Sequence, residues 1–238
     1  MVTIRTKCCQ EPEKEVEVSM QSEQEHAWSG KRSKTDVDSN PVDWKVIGCI
    51  HLTHGDKFDL LNSRWLNDRH INAAQILVGQ QYQDIRGLND TLTLQIWYEG
   101  DSTEGKFIQI HHVRSNHWLT TAAGDGVIKV YDPLPFNLDD DLQRVLSRVY
   151  AHLQNEGIIR LSITPVVQEQ GFDDCGLFAI AYMVDLAMGT CPSHRLYDQH
   201  LMREHLYECF ESGIISAFPG IWRENKESPQ FITFEVIY

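Results

Sequence analysis

Hydrophobic and polar residues alternate in several short stretches of the chain and follow a helical spacing in others. Period-two alternation, rich in β-branched and aromatic residues, predicts strands at 91–98, 106–113 and 158–167. Within 117–134, two strand-like runs flank the sequence Ala-Gly-Asp-Gly, which indicates a β-hairpin.

Four segments have the pattern of helices. Residues 63–82 begin with Ser63 as a candidate N-cap and carry a stripe of apolar residues: Leu66, Ala73, Ala74 and Leu77. Residues 138–157 begin with acidic side chains, and residues 197–213 are amphipathic. Residues 175–188 are apolar on nearly every side, so we expect a buried helix there. Helices between strands, together with a hairpin, indicate an α/β or α+β domain.

The N-terminal residues 1–41 lack this patterning. Six glutamates crowd residues 11–25, and residues typical of turns follow them. Such a composition buries too little apolar surface to offset the entropy of ordering, so we expect a disordered tail and a compact domain from residue 42. Neither a membrane-length apolar run nor a signal-peptide core occurs, which predicts an intracellular protein, nuclear or cytoplasmic, that does not bind membranes.

The charge and the cysteine pattern narrow the classes of function. The formal charge is −13, and residues 42–238 carry 15 Lys and Arg against 26 Asp and Glu. An acidic domain is a poor partner for phosphate backbones, so we expect no nucleic-acid binding. The six cysteines form no C-x-x-C pair, which favours reduced thiols. His200 and His205 lie too far apart around a helix to share a metal, and we predict neither a metal nor a cofactor.

Cys175 stands at the start of the apolar segment, directly after two aspartates. A thiolate at a helix N-terminus is stabilised by free backbone N–H groups and the helix dipole. Gly176 would let a substrate approach the backbone closely, and Gln170 or Gln168 could join the Cys175 N–H in an oxyanion hole. The alternative is a structural cysteine in a core helix. The local sequence leaves both interpretations open.

The predicted hairpin places a histidine near a carboxylate. If the turn is centred on Gly124 and Asp125, His117 faces Asp132 directly across the two strands. If it is centred one residue later, the two side chains lie diagonally and still close together. An imidazole beside a carboxylate is the orienting half of a nucleophile–base–acid triad. The alternative is an ordinary pair of polar residues at the ends of the strands.

Four motifs in order along the chain resemble the ubiquitin-like protease family, the cysteine peptidases that process SUMO and related modifiers. They are "WLND" at 65–68, "HW" at 117–118, "YDPL" at 131–134 and "QEQGFDDCGLFA" at 168–179. The resemblance implies an α+β, papain-like fold with a mixed sheet flanked by helices and the nucleophile at the N-terminus of a central helix. It covers about residues 44–219, leaves 220–238 as a C-terminal extension, and is greatest to a divergent metazoan branch associated with mobile elements.

The resemblance also implies roles for single residues. Cys175 would be the nucleophile, His117 the general base and then acid, and Asp132 the group that orients the imidazole. Gln170 would be the oxyanion donor, with Gln168 as the alternative. Many family members place this glutamine six residues before the cysteine, where this chain has Glu169.

The family resemblance further implies a substrate. Trp65 and Trp118 resemble the tryptophans that enclose a narrow tunnel for a Gly-Gly tail, and Asp68 and Gly176 would lie near the substrate. A monomer acting on a ubiquitin-like modifier or its conjugates, without a cofactor, would hydrolyse the bond after that tail through a thioester. Two alternatives remain: a catalytically inert binding module, and a thiol acyltransferase with the same triad.

Overall fold

The computed structural model describes residues 43–96, 105–114 and 116–236. The tail predicted at 1–41 lies outside these ranges, whose first strand begins at Asp43. None of the helices within them is long and apolar enough to cross a membrane.

Ten strands and six α-helices follow one another along the described chain. The strands are β1 (Asp43–Ile47), β2 (Ile50–Thr53), β3 (Ile85–Gly87), β4 (Lys106–Val113), β5 (His117–Gly124), β6 (Val127–Tyr131), β7 (Ile158–Ile163), β8 (Arg195–Tyr197), β9 (Gly220–Trp222) and β10 (Gln230–Glu235). The helices are α1 (His54–Leu61), α2 (Asp68–Gln81), α3 (Thr91–Ile96), α4 (Asp140–Val149), α5 (Cys175–Ala187) and α6 (Gln199–Ser212). The predicted strands at 106–113 and 158–167, the hairpin, and the four predicted helices are thereby confirmed in outline.

A mixed six-stranded sheet organises the fold, in the order β10-β7-β6-β5-β4-β3. The β6–β7 and β3–β4 pairs are parallel, and the other pairs are antiparallel. Helices cover both faces of the sheet. Side chains that alternate along the strands point to opposite faces and belong to two separate apolar clusters. Ile110 and Trp118 pack in the cluster of α5, whereas Leu119 and Val130 pack with α4. The sheet therefore presents α5 on one face and α4 on the other.

The strand predicted at 91–98 is wrong for its described part, since Thr91–Ile96 is the helix α3. The cause is a local cap that outweighs the β-propensity of this stretch. The Asp90 Oδ1 atom accepts the backbone N–H groups of Leu92 at 3.0 Å and Thr93 at 2.9 Å, which starts a helical turn. Residues 97–98 lie outside the described ranges.

Helix α2 begins at Asp68, so the predicted N-cap Ser63 is wrong. Ser63 has a φ of 54°, in the left-handed region, which separates it from the helix. Asn67 is the N-cap instead. Its side chain accepts the N–H groups of Arg69 and His70, and the His70 ring bonds back to the Asn67 backbone.

Buried amides fasten α2 to the sheet. Gln109 on β4 is fully buried and donates to the Gln75 side chain on α2 at 3.1 Å, and its Oε1 accepts the Asn89 N–H at 2.8 Å. Satisfied polar networks of this kind fix the geometry of a core more tightly than apolar contacts alone. They hold the middle of α2, around Gln75, in a defined position against the sheet.

Residues 220–236 are part of the same folded unit. β9 pairs with β8, and β10 runs antiparallel to β7 over Gln230–Glu235 as an edge strand of the sheet. Phe234 on β10 is buried in the cluster of α4. The boundary predicted at residue 219 therefore falls inside the fold.

Candidate active site

Cys175 is the first residue of α5, and 5% of it is exposed. The residue before it, Asp174, does not cap the helix with its side chain, because Arg203 and Gln199 on α6 bind that carboxylate at 2.8 and 2.6 Å. The Gly176 N–H in the first turn therefore remains free to bond the thiol. This arrangement offers the sulfur a backbone donor at a helix N-terminus.

The structure brings His117 and Asp132 together. His117 Nε2 lies 2.7 Å from Asp132 Oδ1, and both side chains are buried. Asp132 Oδ1 also accepts the Leu134 N–H at 2.9 Å, and Arg114 lies 3.5 Å from Asp132 Oδ2. These contacts fix the carboxylate, which in turn fixes the imidazole ring. The other ring nitrogen, Nδ1, has no hydrogen-bond partner among the described residues.

The hairpin register is the second of the two that the sequence allowed. Thr120 pairs with Tyr131 and Gly124 with Val127, so the turn is centred on Asp125 and Gly126. His117 and Asp132 are therefore diagonal neighbours rather than directly opposed. Their side chains meet because diagonal pairs lie within reach of long side chains.

β5 and α5 are joined close to the two candidate residues. The Thr120 hydroxyl donates to the Ala179 carbonyl oxygen at 2.7 Å in the buried core. The backbone N–H of Trp118, the residue after His117, lies close enough to the Cys175 thiol to lower its pKa. The strand that carries the imidazole thus lies directly against the helix that carries the thiol.

Burial raises the pKa of the Cys175 thiol to about 11. The N–H groups of Trp118 and Gly176 oppose this rise, whereas the nearby charges of Glu169 and Asp132 add to it. The expectation of a thiolate stabilised by the helix N-terminus is thus wrong for the free protein, because desolvation outweighs the backbone donors. The thiol carries its proton at neutral pH and needs a base to remove it.

The two predicted substrate tryptophans differ in exposure. Trp118 is buried, and its indole N–H donates to the Leu66 carbonyl at 3.0 Å. Trp65, the residue before Leu66, is 53% exposed, and its indole N–H donates to the Phe172 carbonyl at 3.1 Å. Asp68 lies partly exposed in the first turn of α2. Trp65 therefore connects the segment that precedes α2 to the loop before Cys175, and it remains partly open to solvent.

Gly176 serves packing rather than substrate approach, which corrects the predicted substrate contact. A Cβ atom at this position would lie 3.1 Å from Leu66 Cβ and from Trp118 Cδ1, and 3.4 Å from Ile71 Cδ1. Side chains of the chain itself thus occupy the space beside the glycine. The missing Cβ lets α5 approach the start of α2.

The structure does not bring the predicted oxyanion glutamines to the thiol. Gln168 and Gln170 are exposed and line a surface pocket that excludes Cys175, His117 and Asp132. The Gln199 side chain fixes this orientation, because it bonds both the N–H and the carbonyl of Gln170, at 2.9 and 3.0 Å. Glu169, six residues before the cysteine, is the buried member of this stretch.

A second cysteine–histidine pair lies on α6. Cys209 Sγ is 3.5 Å from His205 Nε2, one helical turn away, and the pKa of the Cys209 thiol is lowered despite burial, chiefly by this histidine. This pair was not predicted from the sequence, although the i, i+4 spacing of the two residues is a visible signal. His205 bonds the Ser216 carbonyl rather than a carboxylate. In the described ranges, no cluster of three or more His, Cys, Asp or Glu side chains is arranged for a metal ion.

Replacing Arg203 with methionine is expected to lower the free energy of unfolding by about 3 kcal/mol, because it leaves the Asp174 carboxylate without its main partner. Arg203 is 9% exposed and also donates to the Leu60 and Asp173 carbonyls. Urea unfolding measures the effect. Arg144→Met, which removes an exposed arginine 4.0 Å from Asp141, is the control and should change stability by less than about 0.5 kcal/mol. Equal effects of the two substitutions would contradict this account.

No protein-family model matches the chain, and no curated protein matches it in sequence. Solved structures match it in fold. The C-terminal Ulp1 protease domain in complex with Smt3, the yeast ortholog of SUMO, aligns with a TM-score of 0.56 and 15% identity, over 74% of this chain and 90% of that one. The Chaetomium thermophilum Ulp1-like SUMO protease catalytic domain aligns with a TM-score of 0.56 and 14% identity, over 76% and 87%. Ulp1 with its catalytic cysteine oxidised to a sulfonic acid gives 0.58 and 14%, over 73% and 89%.

The TM-scores of these matches show a shared fold, and at identities of 14–15% activity and substrate have to be argued from the site. The predicted α+β class, with a mixed sheet flanked by helices and Cys175 at the start of a central helix, is confirmed. Affiliation to a divergent metazoan branch stays a prediction. The chain has the fold of the Ulp1-type SUMO protease catalytic domain.

Proposed function

We propose that this protein is a cysteine peptidase that hydrolyses the bond after the Gly-Gly tail of a ubiquitin-like modifier. One observation carries the proposal: His117, at the start of the strand packed against the helix that begins with Cys175, lies with its buried Nε2 2.7 Å from Asp132 Oδ1. This arrangement occurs in a chain with the fold of SUMO proteases. Cys175-dependent release of coumarin from a modifier with a C-terminal coumarin amide tests the function.

The chemistry follows from the protonation states at the site. Because Cys175 is a neutral thiol in the free protein, His117 must accept its proton as the sulfur attacks the carbonyl carbon. Asp132 holds the imidazole through Nε2, which leaves Nδ1 as the proton acceptor. The imidazolium then protonates the leaving amine, and water hydrolyses the thioester. These steps assign His117 as base and then acid, and Asp132 as the group that orients it.

The modifier's tail would pass beside the indoles. Trp65 offers an exposed aromatic face next to the loop before Cys175, while Trp118 forms a rigid buried floor held by Leu66. Flat, rigid rings favour glycine, which has no side chain to clash with them. A partner bound here would also contact Asp68 at the start of α2. The neighbouring Ulp1 structure was solved in complex with Smt3, the yeast SUMO, which supports a partner of this class.

Trp65→Ala is expected to lower kcat/KM for a modifier–coumarin substrate about tenfold, chiefly through KM, while stability changes little because the side chain is exposed. Steady-state kinetics with a SUMO–coumarin amide measure the effect. Trp222→Ala is the matched control, since Trp222 is also exposed, at 62%, and stacks on His194 in the β8–β9 region. A loss with Trp222→Ala as large as that with Trp65→Ala would place the tail elsewhere.

The raised thiol pKa favours a second candidate function. A cysteine that is 5% exposed and keeps its proton at neutral pH also suits an inert module that binds a modifier without cleaving it. The two candidates differ in one respect that can be measured. A modifier that binds without any Cys175-dependent turnover would identify the inert module.

A further inference from the structure

The carboxyl group of Glu169 lies near the Cys175 thiol and has no role in the proposed triad. It is 8% exposed and held at two points. Its backbone N–H donates to the Pro133 carbonyl at 2.9 Å, next to Asp132, and its side-chain Oε2 accepts the Asp174 N–H at 2.7 Å. Glu169 is thus fixed between the turn that carries the triad's acid and the start of the helix that carries Cys175.

The second oxygen of this carboxyl group, Oε1, is buried and has no hydrogen-bond partner among the described residues. Leaving a buried carboxylate oxygen without a donor costs about 1–3 kcal/mol or more. A neutral carboxyl group, with its proton on Oε1, avoids the cost of a buried charge and presents a donor that no described residue uses. Burial raises the pKa of Glu169 to about 7, and the Asp174 charge adds to the rise, while the Asp174 N–H bond opposes it.

The charge of Glu169 is coupled to the reacting groups. Its ionised form raises the pKa of the Cys175 thiol, and His117 in turn favours the ionised form of Glu169. The titratable and charged groups that face Glu169 lie on its own loop, β5, α5 and α6. They are Asp173, Asp174, His117, Cys175, Tyr182 and, through its ion pair with Asp174, Arg203.

We propose that Glu169, as a neutral carboxylic acid, donates a hydrogen bond from Oε1 to the oxyanion that forms when Cys175 attacks a carbonyl group. The inference rests on the proposed peptidase function. The Cys175 backbone N–H is the second donor, as expected for the first residue of a helix. Glu169 thereby has the role of oxyanion donor that the family resemblance implied for Gln170.

Acylation needs no reagent beyond the substrate, and hydrolysis of the thioester needs only water. The sulfur forms a bond to the carbonyl carbon, the thiol proton passes to His117, and the C=O π-electron pair moves to the oxygen. That oxygen accepts the two hydrogen bonds, and Glu169 keeps its proton. When the electron pair returns, the C–N bond breaks, and the leaving nitrogen takes the proton from His117. Water then releases the acyl group from the thioester.

The protonation of Glu169 determines the direction in which kcat/KM changes with pH. Below about pH 7 Glu169 is neutral and donates to the oxyanion. As the pH rises through the pKa of Glu169, the carboxyl group loses this proton, and its charge repels both thiolate and oxyanion. The wild-type protein is therefore expected to lose kcat/KM above about pH 7, whereas Glu169→Gln keeps a neutral donor at every pH.

The experiment measures kcat/KM from pH 5.5 to 9 with SUMO–coumarin and ubiquitin–coumarin amides. At pH 8.5 Glu169→Gln should exceed wild type about 30-fold, because only about 3% of a carboxyl group with a pKa near 7 stays neutral there. Glu169→Ala should be about 100-fold less active than Glu169→Gln across the range, since it has no donor. Asp125→Asn, the same charge change on the exposed hairpin turn, should leave the wild-type profile unaltered.

Two readouts separate this inference from the function on which it rests. Absence of a Cys175-dependent adduct with any modifier electrophile would overturn the peptidase function. An enzyme that forms the adduct but shows the same pH profile in wild type and Glu169→Gln would overturn the role of Glu169 alone. A wild-type profile that rises steadily to pH 9 would also overturn it, whether or not the variants fold. Faster alkylation of Cys175 at pH 8 in Glu169→Gln, followed by peptide mass spectrometry, would support the coupling independently of any substrate.

Discussion

Cys175→Ser is expected to lower kcat for a modifier–coumarin substrate by at least about 10⁴-fold, because the hydroxyl group is a far weaker nucleophile than the thiol in the same position. Binding should remain, since the side chains differ little in size and the surrounding contacts are apolar or involve the backbone. The variant should therefore retain its affinity for the modifier while losing turnover. Coumarin release and a direct binding measurement report the two quantities separately.

Cys209→Ser provides the matched control for the nucleophile. It replaces a second buried cysteine, which lies beside His205, and the pKa of the Cys209 thiol is lowered rather than raised. Judged by thiol acidity alone, Cys209 would be the more reactive residue. We expect wild-type turnover for Cys209→Ser, because His205 bonds the Ser216 carbonyl and no carboxylate of the described residues is hydrogen-bonded to its ring. Loss of activity in this variant, with Cys175→Ser active, would reverse the assignment.

His117→Ala should lower kcat by about 10³-fold, because the neutral thiol of Cys175 then has no base to accept its proton. Asp132→Asn should lower it as well, and the double variant should be little worse than His117→Ala, since Asp132 acts through the imidazole. Pre-steady-state acylation measures the affected step, and thermal unfolding reports whether each variant folds.

His51→Ala is the control for the histidine. His51 Nδ1 lies 2.6 Å from Asp43 Oδ2, so this pair resembles the His117–Asp132 pair in distance but is exposed at the surface. Turnover should be unchanged in His51→Ala. Two residues that act through one imidazole are not independent. If the loss of kcat in His117→Ala/Asp132→Asn equals the sum of the two single losses in free energy, His117 and Asp132 do not act together.

Sequence reasoning reached the features that depend on local pattern. The hairpin placed His117 near Asp132 because strand pairing converts sequence spacing into distance, and the apolar run at 175–188 indicated a buried helix. The uncertain turn centre left two registers, and the structure has the diagonal one. These inferences needed no knowledge of distant contacts.

The features that sequence reasoning missed depend on contacts far along the chain. Two distant contacts decide which side chain of the loop before Cys175 turns inward. Gln199 bonds the Gln170 backbone, and the Pro133 carbonyl accepts the Glu169 N–H. The raised pKa of Cys175 results from burial against other elements, whereas the helix N-terminus that favours a thiolate is a local feature.

Covalent capture tests directly whether Cys175 is the nucleophile that reacts with the C-terminus of a ubiquitin-like modifier. A panel of modifiers, ubiquitin and SUMO among them, each with a C-terminal electrophile, is incubated with wild type, Cys175→Ser and Cys209→Ser. We expect one class of modifier to form an adduct with wild type and Cys209→Ser and none with Cys175→Ser, and we expect peptide mapping to find the adduct on Cys175. An adduct that persists in Cys175→Ser, or a modifier that binds tightly and never reacts, would contradict this expectation.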